Sequence, residues 1–386
     1  MQKKKILVLI NYFGKKSETF ISDEIEFLSS QNDVDVTILH YGKDIPEKKV
    51  TGLYFESNFT KRWLKAVRKF DLKMFATLRY KNGLNGSLVS LIPFFRKSKF
   101  DTIYCHFGTN GKLIAELKEL KVIPKETKLV VRFHGLDMNF NQYPVGFYDI
   151  LNSYADEILL GSQFAYKDLR TYRLNKEKLN HLSVGIRRMN ISKEISDFQP
   201  EQFNIISVGR LIELKGYLVA LDIINEINKR SINFTYTIIG DGPQYDILSE
   251  LIKRYALEKK VKIIKGLDHA NVLDMLKKSH IYLYPGIRDQ TGRVETQGLA
   301  NLEAMASGLV ILASDIGGVP DYVVHNKTGF LCEPGVVNQF AEKLQWIMQN
   351  YASDEIVKIR QNAIAEVENN YCQEKLNEKL LKLLID

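Results

Sequence analysis

Glu295-Thr-Gln-Gly-Leu-Ala-Asn-Leu-Glu303, continuing Ala-Met-Ala-Ser-Gly308 into the apolar run 309–313, decides how the rest of the chain is read. Two carboxylates stand eight positions apart around a glycine, and a short apolar helix and a buried strand follow, which is the grammar of an alternating α/β protein. Gly298 is expected to open the helix and Gly308 to close it as the left-handed residue after its last turn. Glu295 then sits in the loop before the helix and Glu303 more than a turn inside it. At the rise of an α-helix the two acids are separated by roughly 10–12 Å, which suits a ligand with a sugar at one end and a ribose at the other. The free N–H groups at the helix start would face the diphosphate between them. Two glutamates near a helix start are equally compatible with a purely structural role, so the reading depends on what accompanies them.

The chain has 386 residues, too many for one ordinary domain, and its 45% hydrophobic and 26% charged content is that of a globular protein with a large core. No apolar run approaches the length of a membrane span, and Met1-Gln-Lys-Lys-Lys5 passes straight into a strand without a leader-like cleavage pattern, so a cytoplasmic protein is expected. Cys105, Cys332 and Cys372 are isolated and have no metal-ligand spacing. The net charge of +8 favours an anionic partner without choosing among nucleotide, lipid and nucleic acid.

Strands are expected at residues 4–12, 34–39, 102–105, 129–133 and 157–160, separated by helical or irregular stretches, and a second series at 204–208, 235–239, 261–264, 281–284 and 310–313 follows the polar segment 190–203. Strand alternating with helix implies two Rossmann-like, doubly wound parallel sheets in succession, with ligands at the carboxyl ends of strands and in a cleft between domains. The expected domains are 1–195 and 200–371.

Val208-Gly-Arg210-Leu-Ile-Glu-Leu-Lys215-Gly216 leaves a strand and opens a helix, so Arg210 and Lys215 can offer a fork of donors and a compact charge to a diphosphate. Ile239-Gly240-Asp241-Gly242-Pro243 lacks the third glycine of the dinucleotide fingerprint and reads as a close-approach turn near a nucleotide; an NAD site is disfavoured. Arg132-Phe-His134-Gly-Leu-Asp137 places a histidine at a strand's carboxyl end. Tyr104-Cys-His106-Phe-Gly108-Thr-Asn-Gly111-Lys112 imitates a phosphate-binding loop, but its glycine spacing is wrong and Leu113 stands where magnesium would need a hydroxyl. It is read instead as a loop lining an acceptor, with Gly14 and Ser17 on the same side. Asp33-Val-Asp35 lies at a strand start and reads as solvated surface, and no other metal-ligand pattern appears. Residues 286–293 form a polar loop that would shape a sugar pocket. Residues 61–81 carry eight basic side chains against Asp71, with apolar residues at helical spacing, and read either as a helix packed on a sheet or as a surface resting on anionic lipid.

Glu295 and Glu303, the small-residue turn, the strand, Asp315-Ile-Gly-Gly-Val-Pro-Asp321 and the Arg210/Lys215 stretch together resemble the donor site of family 4 retaining glycosyltransferases of the GT-B fold, from about residue 204 to 335. The resemblance implies a metal-independent enzyme that moves a hexosyl or N-acetylhexosaminyl group from a nucleotide sugar, its substrate and not a cofactor, to a glycan or lipid-linked acceptor in cell-surface polysaccharide or glycolipid synthesis. It implies Arg210 and Lys215 on the diphosphate, Glu295 and His134 on the transferred sugar, Glu303 on the ribose, and Gly240, Asp241, Gly242, Thr296, Gln297, Gly298 and Leu299 around the donor. Gly14, Ser17 and His106 fall on the acceptor side. A last helix, 372–386, is expected to cross back to the first domain, and the protein is placed in the cytoplasm or on the inner face of the membrane, with no nucleic-acid partner. A sugar-nucleotide 2-epimerase and a non-catalytic partner subunit remain as alternatives, as does Glu295 as a covalent nucleophile.

Overall fold

The computed structural model describes residues 3–11, 19–40, 51–54, 86–138, 143–169, 172–193, 195, 199–230 and 232–386. Gly14, Ser17 and the basic stretch 61–81 lie outside the described residues. The chain divides into two units, Met1–Gly161 with Ala165–Leu182 and Asn377–Asp386, and Ser162–Phe164 with Ser183–Leu376.

In the first unit β1 (Lys4–Leu9), β2 (Val34–His40), β3 (Thr51–Tyr54), β4 (Thr102–His106), β5 (Lys128–Arg132), β6 (Glu157–Leu160) and β7 (Leu179–His181) form one sheet in the order β3-β2-β1-β4-β5-β6-β7. Every pairing in it is parallel. Ile6, Leu7 and Val8 are fully buried in succession, because helices cover both faces of such a sheet and leave no solvent side for alternation. Asp33 and Asp35 are exposed at the edge of β2, as their alternation requires.

The second unit repeats the plan with β8 (Phe203–Val208), β9 (Phe234–Ile239), β10 (Val261–Ile264), β11 (Ile281–Tyr284), β12 (Val310–Ser314) and β13 (Phe330–Cys332), ordered β10-β9-β8-β11-β12-β13 and parallel throughout. The helix Tyr217–Asn228 turns Ala220, Ile223, Ile224 and Ile227 into a core shared with Phe340, Leu344 and Ile347 of the helix Val337–Gln349. Burial of one such isoleucine contributes about 1.5–3 kcal/mol. In each sheet the strand order reverses once, between β1 and β4 and between β8 and β11, and the carboxyl ends beside that reversal are where open α/β sheets take their ligands.

Three features depart from the sequence reading. The short strands β3, β7 and β13 carry too few residues for a periodic signal and were not foreseen. Residues 183–195 belong to the second unit, not the first: Val184 exchanges two hydrogen bonds with the Gln297 side chain, Ile186 bridges to Cys372, and Ser192 N–H donates to the Ala306 carbonyl (2.8 Å). Residues 108–112 are the start of the helix Gly108–Glu119 and not a loop, and Lys112 is spent on Glu116 one turn on. In the last helix, Gln373–Ile385, the residues from Asn377 onward join the first unit, where the Thr102 hydroxyl donates to the Leu384 carbonyl (2.7 Å). No helix among the described residues is long and apolar enough to cross a membrane.

Candidate active site

In the second unit the site grows from the ends of β8 and β11. After β8 the chain runs through Gly209 and the exposed Arg210, buries Leu211, and makes a tight turn, Glu213–Lys215, before Gly216 starts the next helix. The turn returns Lys215 over the end of β11, where its ammonium lies 5.6 Å from the centroid of the Tyr284 ring and forms an ion pair with Glu295. Both partners are largely buried, with side-chain exposures of 17% and 15%, so solvent screens the pair only in part. Tyr217, Tyr282, Tyr284 and Tyr322 are buried around this carboxylate, and burial together with its charge pushes the Tyr284 phenol well up.

The backbone on either side is held closely. Gly240 approaches the Gly209 carbonyl so tightly that a Cβ there would fall 1.9 Å from the oxygen, which is why a residue without a side chain is needed. Asp241 caps its own turn through the Gly242 amide (2.8 Å) and is otherwise exposed beside Lys265. The Glu295 carbonyl accepts from the Gly318 amide (3.0 Å). Gly298 has φ 77° and caps the helix Leu299–Ala306. Its left-handed backbone lets the chain turn sharply, and the first intrahelical bonds come from Asn301 and Leu302 to its carbonyl, so the amides ahead of them lie outside the ladder. Gly308, φ 77°, closes the helix as expected.

Glu303 lies inside this helix, 7% exposed, and its carboxylate accepts from Nε2 of His269 (2.7 Å), the first residue of the helix His269–Lys277. Thr296 and Leu299 are half-buried beside the helix start. The Gln297 side-chain amide is bonded to both backbone groups of Val184. The 286–293 loop is organised by the buried Asp289, which accepts from the amides of Thr291 and Arg293 and pairs with the Arg293 side chain. Those bonds hold its carboxyl below the ordinary range against the opposing effect of burial.

In the first unit His106 ends β4 and His134 follows β5 by two residues. The strands are neighbours, so the two imidazoles meet, with Nδ1 of His106 3.3 Å from Nε2 of His134. The sequence put His106 on an acceptor-lining loop; it is instead fully buried, a core residue facing Glu24 and His134. Glu24 forms a buried ion pair with Arg132 and accepts from the Tyr104 hydroxyl (2.9 Å), and Arg132 also donates to the Leu182 carbonyl (3.0 Å). Burial, with the Arg132 charge behind it, lowers the His134 imidazole to about 3 and takes His106 well below its usual value, so both rings are neutral. Asp137 accepts from the His134 amide (2.8 Å), and burial raises its carboxyl to about 7 against the pull of that amide and of Gly108.

Sequence reasoning missed Glu24, Tyr104, Tyr284 and His269. Glu24 left a signal: with Ile21, Ile25 and Leu28 it forms the buried stripe of the helix Thr19–Ser30, a place where an acid needs a partner. His269 left none, because a histidine at a helix start is ordinary.

Two doubly wound parallel sheets in succession, with this strand order, are the architecture of the GT-B fold. Residues 189–366 match the family model of glycosyl transferases group 1. WcaL of Escherichia coli (strain K12), a glycosyltransferase named for colanic acid biosynthesis, is 27% identical over 96% of this chain and 97% of its own length. The amylovoran biosynthesis glycosyltransferase AmsK of Erwinia amylovora is 29% identical over 83% of this chain and 79% of its own. Among solved structures, Anabaena Alr3699/HepE in complex with UDP-glucose superposes with a TM-score of 0.74 at 16% identity, over 98% of this chain and 99% of its own. Over residues 189–366 the chain is similar to the group 1 glycosyltransferases, and its two relatives named for polysaccharide biosynthesis support a glycosyltransferase.

Proposed function

We propose that this glycosyltransferase is a retaining enzyme that passes a hexosyl or N-acetylhexosaminyl group from a nucleotide sugar to an acceptor hydroxyl in the assembly of a surface polysaccharide. The observation that carries this reading is the Lys215–Glu295 pair beside the open start of the helix Leu299–Ala306. Arg210, Lys215 and the helix amides neutralise the leaving diphosphate, which shares Lys215 with Glu295 when the donor binds. Glu295 and His134 then hold the sugar and Glu303, braced by His269, the ribose. The acceptor oxygen bonds to the anomeric carbon as the bond to the phosphate breaks, and the acceptor proton passes to the departing phosphate oxygen on the same face. A carboxylate engaged by Lys215 is a weakened nucleophile, which argues against a glycosyl-Glu295 intermediate. The roles for which WcaL and AmsK are named support a polysaccharide, and the UDP-glucose bound by the Anabaena protein supports a nucleotide-sugar donor.

The test is incubation of the purified chain with a panel of nucleotide sugars, with and without glycan and lipid-linked acceptors, in EDTA. The expected result is acceptor-dependent nucleotide release with the anomeric configuration preserved. Inversion, loss of activity in EDTA restored by magnesium or manganese, epimerised donor without acceptor, or no release at all would each overturn a named part of the proposal.

For a lipid-linked acceptor, the basic stretch 61–81 is assigned to the anionic membrane surface, where each Lys or Arg contributes about 1 kcal/mol. Sedimentation with liposomes of rising anionic content is expected to show binding that weakens in salt and on changing Lys61, Arg62, Lys65, Arg68 and Lys69 to Gln. Equal binding to neutral vesicles would remove that assignment.

A further inference from the structure

The arrangement beneath His134 uses four side chains that the transfer reaction does not require to touch substrate. The imidazoles of His106 and His134 are inclined by only 5°, with centroids 5.5 Å apart and facing nitrogens 3.3 Å apart. That centroid separation is about the nitrogen–nitrogen distance plus two ring radii, a sum reached only when the rings lie edge to edge in one plane. They are therefore aligned for an in-plane N–H···N bond and are not stacked. At the far side of His106, Nε2 is 3.6 Å from Glu24 Oε2 and has no hydrogen-bond partner among the described residues. Glu24 is fixed there by Arg132 and by the Tyr104 hydroxyl.

We propose that Glu24 acts through His106 as a positioning residue that dictates which ring nitrogen of His134 carries the proton. A bare lone pair on His106 Nε2 would point at a carboxylate, so the proton of that neutral ring sits on Nε2. Its Nδ1 is then an acceptor, and the hydrogen between the rings belongs to Nε2 of His134. The remaining nitrogen of His134, Nδ1, keeps its lone pair and accepts a hydroxyl hydrogen. On the reading that His134 holds the donor sugar, the relay makes it an acceptor for a sugar hydroxyl, a selection that an unconstrained imidazole would not make. Burial of both rings assists by keeping them neutral, so that the tautomer and not the charge is what is set.

The experiment reads the tautomer directly. The full chain is labelled with ¹⁵N-histidine, two-bond ¹H–¹⁵N correlations are recorded, and the His134 signals are assigned by their loss in His134→Asn. Wild type is expected to show His134 protonated on Nε2. In Glu24→Gln the amide NH₂ faces His106, which turns His106 Nε2 into an acceptor and moves its proton to Nδ1. His134 must then accept between the rings and shift to the Nδ1–H form. His106→Leu removes the acceptor and is expected to leave His134 a mixture of tautomers. Both variants are expected to lose about 10–100-fold in kcat, the range by which outer-shell partners tune metal-bound histidines, with little change in donor KM. An Nδ1–H tautomer in wild type, or an unchanged His134 in both variants, overturns the relay; if Glu24→Gln does not fold, His106→Leu decides alone. Failure of every protein, wild type included, to release nucleotide would instead count against the proposed function, because the tautomer is read without substrate.

Discussion

Lys215→Ala and Arg210→Ala are each expected to lower kcat/KM for sugar transfer at least about 100-fold, about 2.7 kcal/mol of transition-state stabilisation, because in the proposed mechanism both charges act on a leaving group whose charge grows as the bond breaks. Lys215 is the more informative of the two. It is held by Glu295 and seated over Tyr284 in a largely buried wall, where a charge is worth more than in water. Arg210 is exposed and has room to reach a ligand. Arg210→Ala removes no buried partner and should melt near wild type, whereas Lys215→Ala leaves the largely buried Glu295 carboxylate without its counter-charge and should melt lower, so its activity is read well below its own transition. The acids separate by kinetic signature. Glu295→Ala is expected to lower kcat, since the proposal places it on the reacting sugar, while Glu303→Ala is expected to raise donor KM with kcat largely kept, since the proposal places it on a spectator ribose. Near-normal turnover in both cation variants, or the two acid signatures exchanged, would sink these assignments.

The second large effect is on stability. Glu24→Ala is expected to destabilise the protein by about 3–5 kcal/mol, because it strands the Arg132 guanidinium, 1% exposed, without its counter-charge. The double variant Glu24→Leu with Arg132→Met should recover most of that loss, since a well-packed apolar pair of similar volume avoids burying two charges. The measurement is urea unfolding of wild type, the single variant and the double variant, followed by tryptophan fluorescence and circular dichroism. A single variant that unfolds with the wild-type midpoint would mean that water reaches Arg132 and that the pair is not the buried element it is taken to be.

Much of the architecture was legible without coordinates, because it is local. Uninterrupted apolar runs such as residues 6–10 belong to strands covered on both faces, and their alternation with helical stretches implies parallel pairing. Gly298 and Gly308 bracket a helix because a left-handed backbone at each end is a property of single residues, and both have φ 77°. The loop-then-helix stretch from Glu295 to Glu303 was legible because Gly298 marks where the helix begins. The domain boundary was misplaced because nothing in 183–195 announces its partner: the amide of Gln297 and the carbonyl of Ala306 reach it from far along the chain.

By itself, then, the sequence determined two doubly wound sheets, the helix that carries Glu303 with Glu295 in the loop before it, and the residue types at strand ends, since each follows from short-range period and backbone preference. Only the tertiary structure decided who meets whom. Lys215 and Glu295 are 80 positions apart, and Glu24 and Arg132 are 108 apart. His106 and His134 touch because β4 and β5 are neighbours in a sheet order that the chain's own order does not spell out. His269 reaches Glu303 only because two helices start and run side by side. The physical reason is that charge pairing and imidazole tautomers depend on distances of a few ångströms between segments remote in the chain, and those distances are set by how the sheets are wound.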